Sequence, residues 1–354
     1  MSTIESSRPL GRRARLVDVA EATGVHVSTV SRALSPDPEV AATVRARRRE
    51  EIRLAAARLG YQPNAAGRNL RRGASRMIGL LVPRVTDTVL SSFYDGMLDA
   101  ADAAGYTVVV VNTHDDPTRR RANIEHLIRQ GVDAVIYTDA HRGEDEDLVS
   151  WPVPVMSAYR YHHQPQGVIV DDIEGGSLVA DHLVELGHRH VGVLAGLSYA
   201  TTTGDRTQGF LDRFSQLTGG CGKSLAVTSS LEVGHGRRVA EQLLSTGQPP
   251  TALFAVDDYL AVGAMSAIRQ TGLQIGSDIA VVGYNDLPLA RELLVPLTTV
   301  RVPLREIGSS AFASALAVLR GSKALEERAA PTLQVRASSG PARDAGDAAQ
   351  ATPH

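Results

Sequence analysis

Residues 18–35 read DVAEATGVHVSTVSRALS. Two short helical patterns flank Gly24, and the second carries no charged side chain before Arg32. Val19, Ala20, Val25, Val30 and Leu34 are spaced to meet in one small core. Gly24 falls at the turn, where a Cβ would obstruct the backbone. This pattern is a helix-turn-helix, whose second helix is slim enough to enter a DNA major groove and read base edges. Val27, Ser28, Ser31 and Arg32 remain for its outer face. The same pattern also builds helical hairpins that bind nothing. His26 stands where a small hydroxyl residue would start the helix better.

Charge supports the DNA reading. Residues 1–76 hold 15 arginines against seven acidic side chains, a net of +8. The rest of the 354-residue chain holds 22 basic and 32 acidic side chains, a net of −10. Such asymmetry marks a basic module for a polyanion joined to an acidic body, or else a solvated arginine-rich face.

Outward from the helix-turn-helix, residues 1–14 form a basic tail expected to be disordered. A third helix is expected from about Val40 to Leu59, ended by Gly60 and Pro63. Residues 15–63 therefore make an all-α DNA-binding domain. Residues 64–76, NAAGRNLRRGASR, are a basic hinge whose one large apolar residue is Leu70. From MIGLLVP (77–83) onward, apolar strands alternate with helices, through YTVVVVN, VDAVIYT, HVGVLAG, TALFAV and IAVVGYN. Runs of Val, Ile and Leu without polar alternation fit parallel strands covered on both faces. About ten strands in two clusters imply two doubly wound α/β subdomains over residues 77–338. The N-subdomain is placed at about 77–176 and 302–325. The C-subdomain is placed at about 177–301 and 326–338, with a tail expected to be disordered (339–354) beyond it.

Several chemistries are set aside. No run approaches the roughly 18–20 apolar residues of a membrane helix, and the N-terminus has no apolar segment behind its arginines, so a cytoplasmic protein without a membrane partner is expected. One cysteine, Cys221, excludes an intrachain disulfide. GGCGKS (219–224) follows a helix rather than a strand and lacks the first glycine of a phosphate loop. His162–His163 and GHRH (187–190) lack metal-ligand spacing. No catalytic triad, metal site or cofactor is expected, and an enzyme is disfavoured. An exported solute-binding protein would carry a signal and no helix-turn-helix.

The blocks DVAEATGVHVSTVSRAL, LGYQPNAAGRNL and IGLLVP resemble, in order and spacing, the start of the lactose/galactose repressor (LacI/GalR-type) transcription factors. The likeness continues through VDDIEGGSLVADHLVELGHRHVGVLAG, DRTQGF, PTALFAVDD, GYNDLPLA and LTTVRVPLREIG, covering about residues 15–338. It implies a helix-turn-helix domain on a periplasmic-binding-protein-like core. It also implies a homodimer on a pseudo-palindromic double-stranded operator, acting as a repressor under a small-molecule effector. A sugar or sugar derivative is the expected effector, with a nucleobase or an acid as the alternative.

The resemblance assigns Val27, Ser28 and Arg32 to base reading. Arg32 can donate two hydrogen bonds to guanine, worth about 1–3 kcal/mol of discrimination. Thr29, Ser31 and His26 are assigned to phosphates, unless His26 is merely tolerated as a poorer cap. Leu70 matches a leucine wedged into the minor groove, or else packs against the next domain. Asn64, Gly67 and Arg68 belong to the hinge. Gly67 stands where the family usually has alanine, which should cost a hinge helix about 1 kcal/mol. The segment from Ser35 to Ile52 is longer than the usual connection, and Arg45, Arg47, Arg48 and Arg49 in it either bind phosphate or solvate a helix.

In the body, Tyr159, Arg160, Arg206, Asp257 and Asn285 match effector-contacting positions, although strand ends often carry polar caps of this kind. Tyr159 replaces a carboxylate the family often has beside Arg160. The loop at 85–92 lacks the family's usual aromatic, with none before Phe93 and Tyr94. Arg160 beside Arg206 would also suit an acidic effector. DDIEGG (171–176) is read as a family turn and not as a working carboxylate pair.

Overall fold

The computed structural model describes residues 14–35, 37–61, 74–144, 151–164, 167–220, 222–227 and 230–342. The chain divides into two units, residues 1–75 and 76–354.

In the first unit, helix α1 (Leu16–Thr23) ends on Gly24 in the left-handed region, at φ 62°. Helix α2 (Val27–Ala33) follows. Val19, Ala20, Val30 and Ala33 pack with Val44, Ile52, Ala55 and Ala56 into a core of mostly small side chains. The expected single helix from Val40 to Leu59 is two helices, α3 (Pro38–Ala42) and α4 (Ala46–Leu59). Asp37 caps α3 by accepting from the Glu39 and Val40 amides. The Thr43 hydroxyl donates to the Val40 carbonyl, and Val44 turns inward to 7 % exposure. A straight helix would give up that burial. Gly60 ends α4 in the left-handed region, as expected.

The second unit holds two six-stranded sheets. The first contains β1 (Met77–Val82), β2 (Thr107–Asn112), β3 (Ala134–Tyr137), β4 (Val155–Tyr159), β5 (Val168–Val170) and β11 (Glu327–Ala329). Its order is β11-β5-β4-β3-β1-β2, all parallel. The second contains β6 (Val191–Ala195), β7 (Lys223–Val227), β8 (Ala252–Ala255), β9 (Ala280–Asn285), β10 (Thr298–Arg301) and β12 (Thr332–Gln334). Its order is β12-β10-β9-β8-β6-β7, with only β12 antiparallel. Strands buried from end to end, such as β3, β6, β8 and β9, account for the uninterrupted apolar runs.

Three expected boundaries shift. Helix α7 (Asp172–Glu185) packs against α8 (Thr201–Thr218) of the second subdomain, so residues 172–176 belong there. Residues 326–338 divide between the subdomains, because β11 joins β5 while β12 joins β10. Residues 339–342, expected in a disordered tail, are held on the second subdomain: the Ser339 hydroxyl lies 2.9 Å from the His182 ring, and the Ala342 amide donates to the Leu186 carbonyl at 2.8 Å. The chain crosses between sheets three times: after β5, between β10 and α12 (Leu304–Leu319), and between β11 and β12. No described helix is long and apolar enough to cross a membrane.

Candidate functional site

In the first unit the proposed DNA-reading residues share one short helix, but they are not equally accessible. His26, Ser28 and Arg32 are exposed. Val27 is half-buried and packs on the domain core, contrary to the expectation of an outer-face residue. Its spacing to Val30 and Leu34 puts all three on one helical face. Thr29 and Ser31 are half-buried.

His26 caps α2 after all. Its Nδ1 accepts from the Ser28 amide at 3.3 Å and lies 2.8 Å from the Ser28 hydroxyl. A ring nitrogen thus meets one of the orphan amides of the helix start. The Arg32 Nε reaches the Ser28 carbonyl at 3.4 Å, leaving its terminal nitrogens toward solvent. Asn64, Gly67, Arg68 and Leu70 lie outside the described residues.

In the second unit, the carboxyl ends of strands from both sheets surround a cavity of about 460 Å³. That size suits one small ligand, and strand carboxyl ends are where doubly wound sheets bind ligands. Tyr159, Arg160, Arg206, Asp257 and Asn285 all line it. Tyr159 ends β4 at φ 69°, and Asn285 ends β9 at φ 109°. His114 and Asp115, at φ 59° and 58°, follow β2 and line the same cavity. Non-glycine residues held in this region store about 1–3 kcal/mol each, and such strain collects at binding sites.

Arg206 is fixed from several sides. Its Nε donates to Asp172 Oδ1 at 2.9 Å and its Nη1 to the Val256 carbonyl at 3.0 Å. Its Nη2 donates to the Tyr159 hydroxyl at 3.2 Å, and the guanidinium stacks 3.9 Å from the Tyr284 ring centroid. Burial disfavours the charge, but the Asp172 carboxylate outweighs that and keeps Arg206 protonated. Asp172 was missed in DDIEGG. Close approach of α7 and α8 brings it to Arg206, because a Cβ on Gly176 would lie 2.2 Å from the Arg206 carbonyl oxygen.

Arg160 keeps a carboxylate partner even though Tyr159 replaced the usual one. Its Nη1 donates to Asp115 Oδ1 at 2.9 Å, so the partner comes from the end of a different strand. Asp115 also lies 3.2 Å from the His141 ring and accepts from the Tyr199 hydroxyl at 3.0 Å. Burial alone would raise its pKa; the His141 bond, the Arg160 charge and the Tyr199 bond together hold it at about 2. The two arginines expected to attract an acid are therefore each neutralised by a carboxylate.

Asp257 begins α10 (Asp258–Gln270) by accepting from the Tyr259 amide at 2.8 Å. Asn285 Nδ2 donates to its other oxygen at 2.9 Å. Burial pushes the Asp257 carboxyl up to about 7, against the Tyr259 amide and the Arg206 charge. Phe93 and Tyr94 face the core instead of a ligand. Tyr199 and Tyr259, neither singled out from sequence, bring aromatic rings to the cavity lining.

Fold and site define a class: a DNA-binding module carried by a two-subdomain, ligand-binding body. Residues 15–64 match the model of bacterial regulatory proteins of the lacI family, and residues 180–339 match the periplasmic binding protein-like domain. The HTH-type transcriptional repressor PurR of Pectobacterium atrosepticum is 31% identical over 309 residues, covering 86% of this chain and 89% of that protein. PurR of Vibrio cholerae is 28% identical over 311 residues, covering 84% and 89%. A crystal structure of the lac repressor dimer, bound to operator and the anti-inducer ONPF, superimposes with a TM-score of 0.84 at 27% identity. It covers 93% of this chain and all of that one. The chain belongs to the lacI family. It is a DNA-binding transcriptional regulator with an effector-binding body, and not an enzyme.

Proposed function

We propose that this protein is a cytoplasmic repressor that binds a pseudo-palindromic operator as a homodimer and releases or tightens it when a small hydroxylated effector fills the body's cleft. The observation that carries the effector role is the convergence of Tyr159, Arg160, Arg206, Asp257 and Asn285, from both sheets, on one cavity. PurR relatives are named as repressors, and the lac repressor structure is a dimer on operator; both support the DNA half of the reading. Arg32 and Ser28 are proposed to read bases, with the half-buried Val27 limited to an apolar contact such as a thymine methyl. His26, Thr29 and Ser31 are proposed to hold phosphates. Two Leu70 side chains are proposed to wedge the minor groove at the dyad, with Asn64, Gly67 and Arg68 in a hinge that orders on DNA. A change in subdomain angle on effector binding would bias that ordering, with coupling of about 1–3 kcal/mol.

The test is operator selection from a random duplex library at moderate salt, followed by titration with candidate effectors. Sequence-specific binding that shifts with ligand is expected, and the direction of the shift separates inducer from corepressor. Absence of specific duplex binding, with and without ligand, overturns the reading. Leu70→Ala should weaken operator binding by about 1–3 kcal/mol while leaving effector affinity unchanged.

A further inference from the structure

Charge pairing around the cavity leaves two carboxylates over. Arg206 is paired with Asp172 at 2.9 Å, Arg160 with Asp115 at 2.9 Å, and the exposed Arg84 with Glu232 at 3.9 Å. Asp87 and Asp257 also line the cavity, and neither has an ion-pair partner among the described residues. Asp87 comes from the loop after β1 and Asp257 from the end of β8, so the two subdomains contribute one each. Burial disfavours the charge on both; the Arg206 charge favours that on Asp257 while the Asp87 charge disfavours it, and the more distant Arg160 and Arg84 charges favour that on Asp87. Asp87 Oδ1 accepts from the Val89 and Leu90 amides at 3.0 and 3.4 Å, the start of α5 (Thr88–Ala103).

A second observation concerns hydrogen-bonding sense. Asn285 is 5 % exposed and lines the cavity. Its Nδ2 is spent on Asp257, and its buried Oδ1 has no partner. A buried acceptor left unmet costs free energy until a donor arrives. The cavity thus sets two carboxyl groups without an ion-pair partner and one unmet acceptor around a single space, together with one unmet donor, the buried Arg160 Nε.

We propose that the effector is a hydroxylated primary amine, an amino sugar or amino polyol, whose ammonium lies between Asp87 and Asp257 and donates to Asn285 Oδ1. This rests on the reading of the cleft as the effector site. An ammonium has three donors and one positive charge, so it answers both observations together. A sugar acid would add a further negative charge beside the carboxyls of Asp87 and Asp257. A neutral sugar would supply donors but leave both carboxyl groups without a directly paired cation in a partly desolvated site. The paired Arg160 and Arg206 then fix the hydroxyl end of the molecule, and Tyr199 and Tyr259 offer it ring faces.

The experiment is calorimetric titration of the full-length protein with glucosamine, galactosamine, mannosamine and their reduced amino polyols. Each is compared with its parent hexose, its N-acetyl derivative and the corresponding hexonate. At least one amine should bind about tenfold or more tightly than all its uncharged and acidic counterparts. Asp87→Asn and Asp257→Asn should each weaken that amine by about tenfold and narrow its lead over the parent hexose. Asparagine still caps a helix, and far-ultraviolet circular dichroism checks that the variants are folded. Asp257→Asn also favours the reversed Asn285 amide, which would turn a donor toward the cavity in place of the acceptor. A hexose, N-acetyl sugar or hexonate binding as tightly as the amines overturns the proposal, as does the failure of every amine to bind at about 10 mM. A neutral or acidic probe that changes operator affinity sinks the amine but leaves the regulator standing. Loss of all specific operator binding counts against the regulator itself.

Discussion

His26 begins the proposed reading helix with a ring nitrogen where a hydroxyl would be ordinary, and the Ser28 amide is its partner. His26→Ala should release that amide and cost about 1 kcal/mol locally, while His26→Ser should hold it. Hydrogen exchange at the Ser28–Val30 amides in the full chain reads the difference. Operator affinity unchanged in His26→Ser would confine the residue to capping. Arg206 was legible because DRTQGF marks it, whereas Asp172 was not. DDIEGG reads as a family turn, and the partner lies 34 residues away. Asp172→Ala should destabilise the body by about 3–5 kcal/mol, since it strands a buried guanidinium; thermal unfolding without ligand measures it. Asp257 and Asp258 predict a pH profile. Burial raises both to about 7, against about 4 for an unfolded carboxyl. The folded body therefore binds more protons than the unfolded chain between those values, and its stability falls as pH rises from about 4 through about 7. Asp115, held at about 2, acts oppositely: its contribution is intact above about 4 and is lost as pH falls toward about 2. The melting temperature without ligand should be higher at pH about 6 than at about 8, and Asp257→Asn should flatten that slope.

Helices α3 and α4 show where element-scale reading stopped. Residues 40–59 carry a helical apolar period, yet Thr43–Arg45 break it so that Val44 can reach the core. Periodicity registers which residues face inward but not a short change of axis between two such faces. Strands β11 and β12 were invisible for another reason. ERA and TLQ are three-residue edge strands without apolar alternation, separated by Ala330 and Pro331, and only pairing with β5 and β10 defines them. The central strands, buried on both sides, announced themselves as Val-, Ile- and Leu-rich runs. The break also sorts the arginines. Arg48 donates to Glu51 at 2.7 Å and Arg49 to the Ala41 carbonyl at 3.3 Å, so both are partly occupied. Arg45 stands at the N-cap position of α4 with no side-chain cap bond, and Arg47, though 3.5 Å from the same Glu51 carboxylate, keeps its side chain 95% exposed, so these two are better placed to take phosphates near the positive end of a helix dipole. Arg45→Ala with Arg47→Ala should reduce the slope of log K for operator binding against log salt by about two. An unchanged slope across a salt titration would assign both side chains to solvating the helix.

The body is closed over its cavity by bonds that the two subdomains make directly. The Thr88 and Tyr259 hydroxyls lie 2.6 Å apart on one side. On the other, Tyr199 donates to Asp115, Arg142 to Asp205 at 2.5 Å, and the Tyr161 hydroxyl to Asp205. Three chain crossings hinge these subdomains, so the bonds bias an angle while the strands and their cores stay fixed. Each exchanges with water, so each contributes about 0.5–1.5 kcal/mol to closure. Ligand binding that needs the closed cleft is weakened in proportion to the fraction of molecules closed. Tyr259→Phe with Asp205→Asn removes the Thr88 bond and weakens both bonds to Asp205. Tyr259→Phe keeps the ring face offered to the effector and Asp205 is not in the cavity lining, yet the pair should open the ligand-free cleft and lower apparent effector affinity by up to about tenfold. Small-angle scattering should then show a larger radius of gyration for the ligand-free variant and near-equality with the parent protein at saturating effector. If effector affinity falls while the ligand-free scattering is unchanged, Tyr259 and Asp205 act by touching the ligand and not by setting the angle.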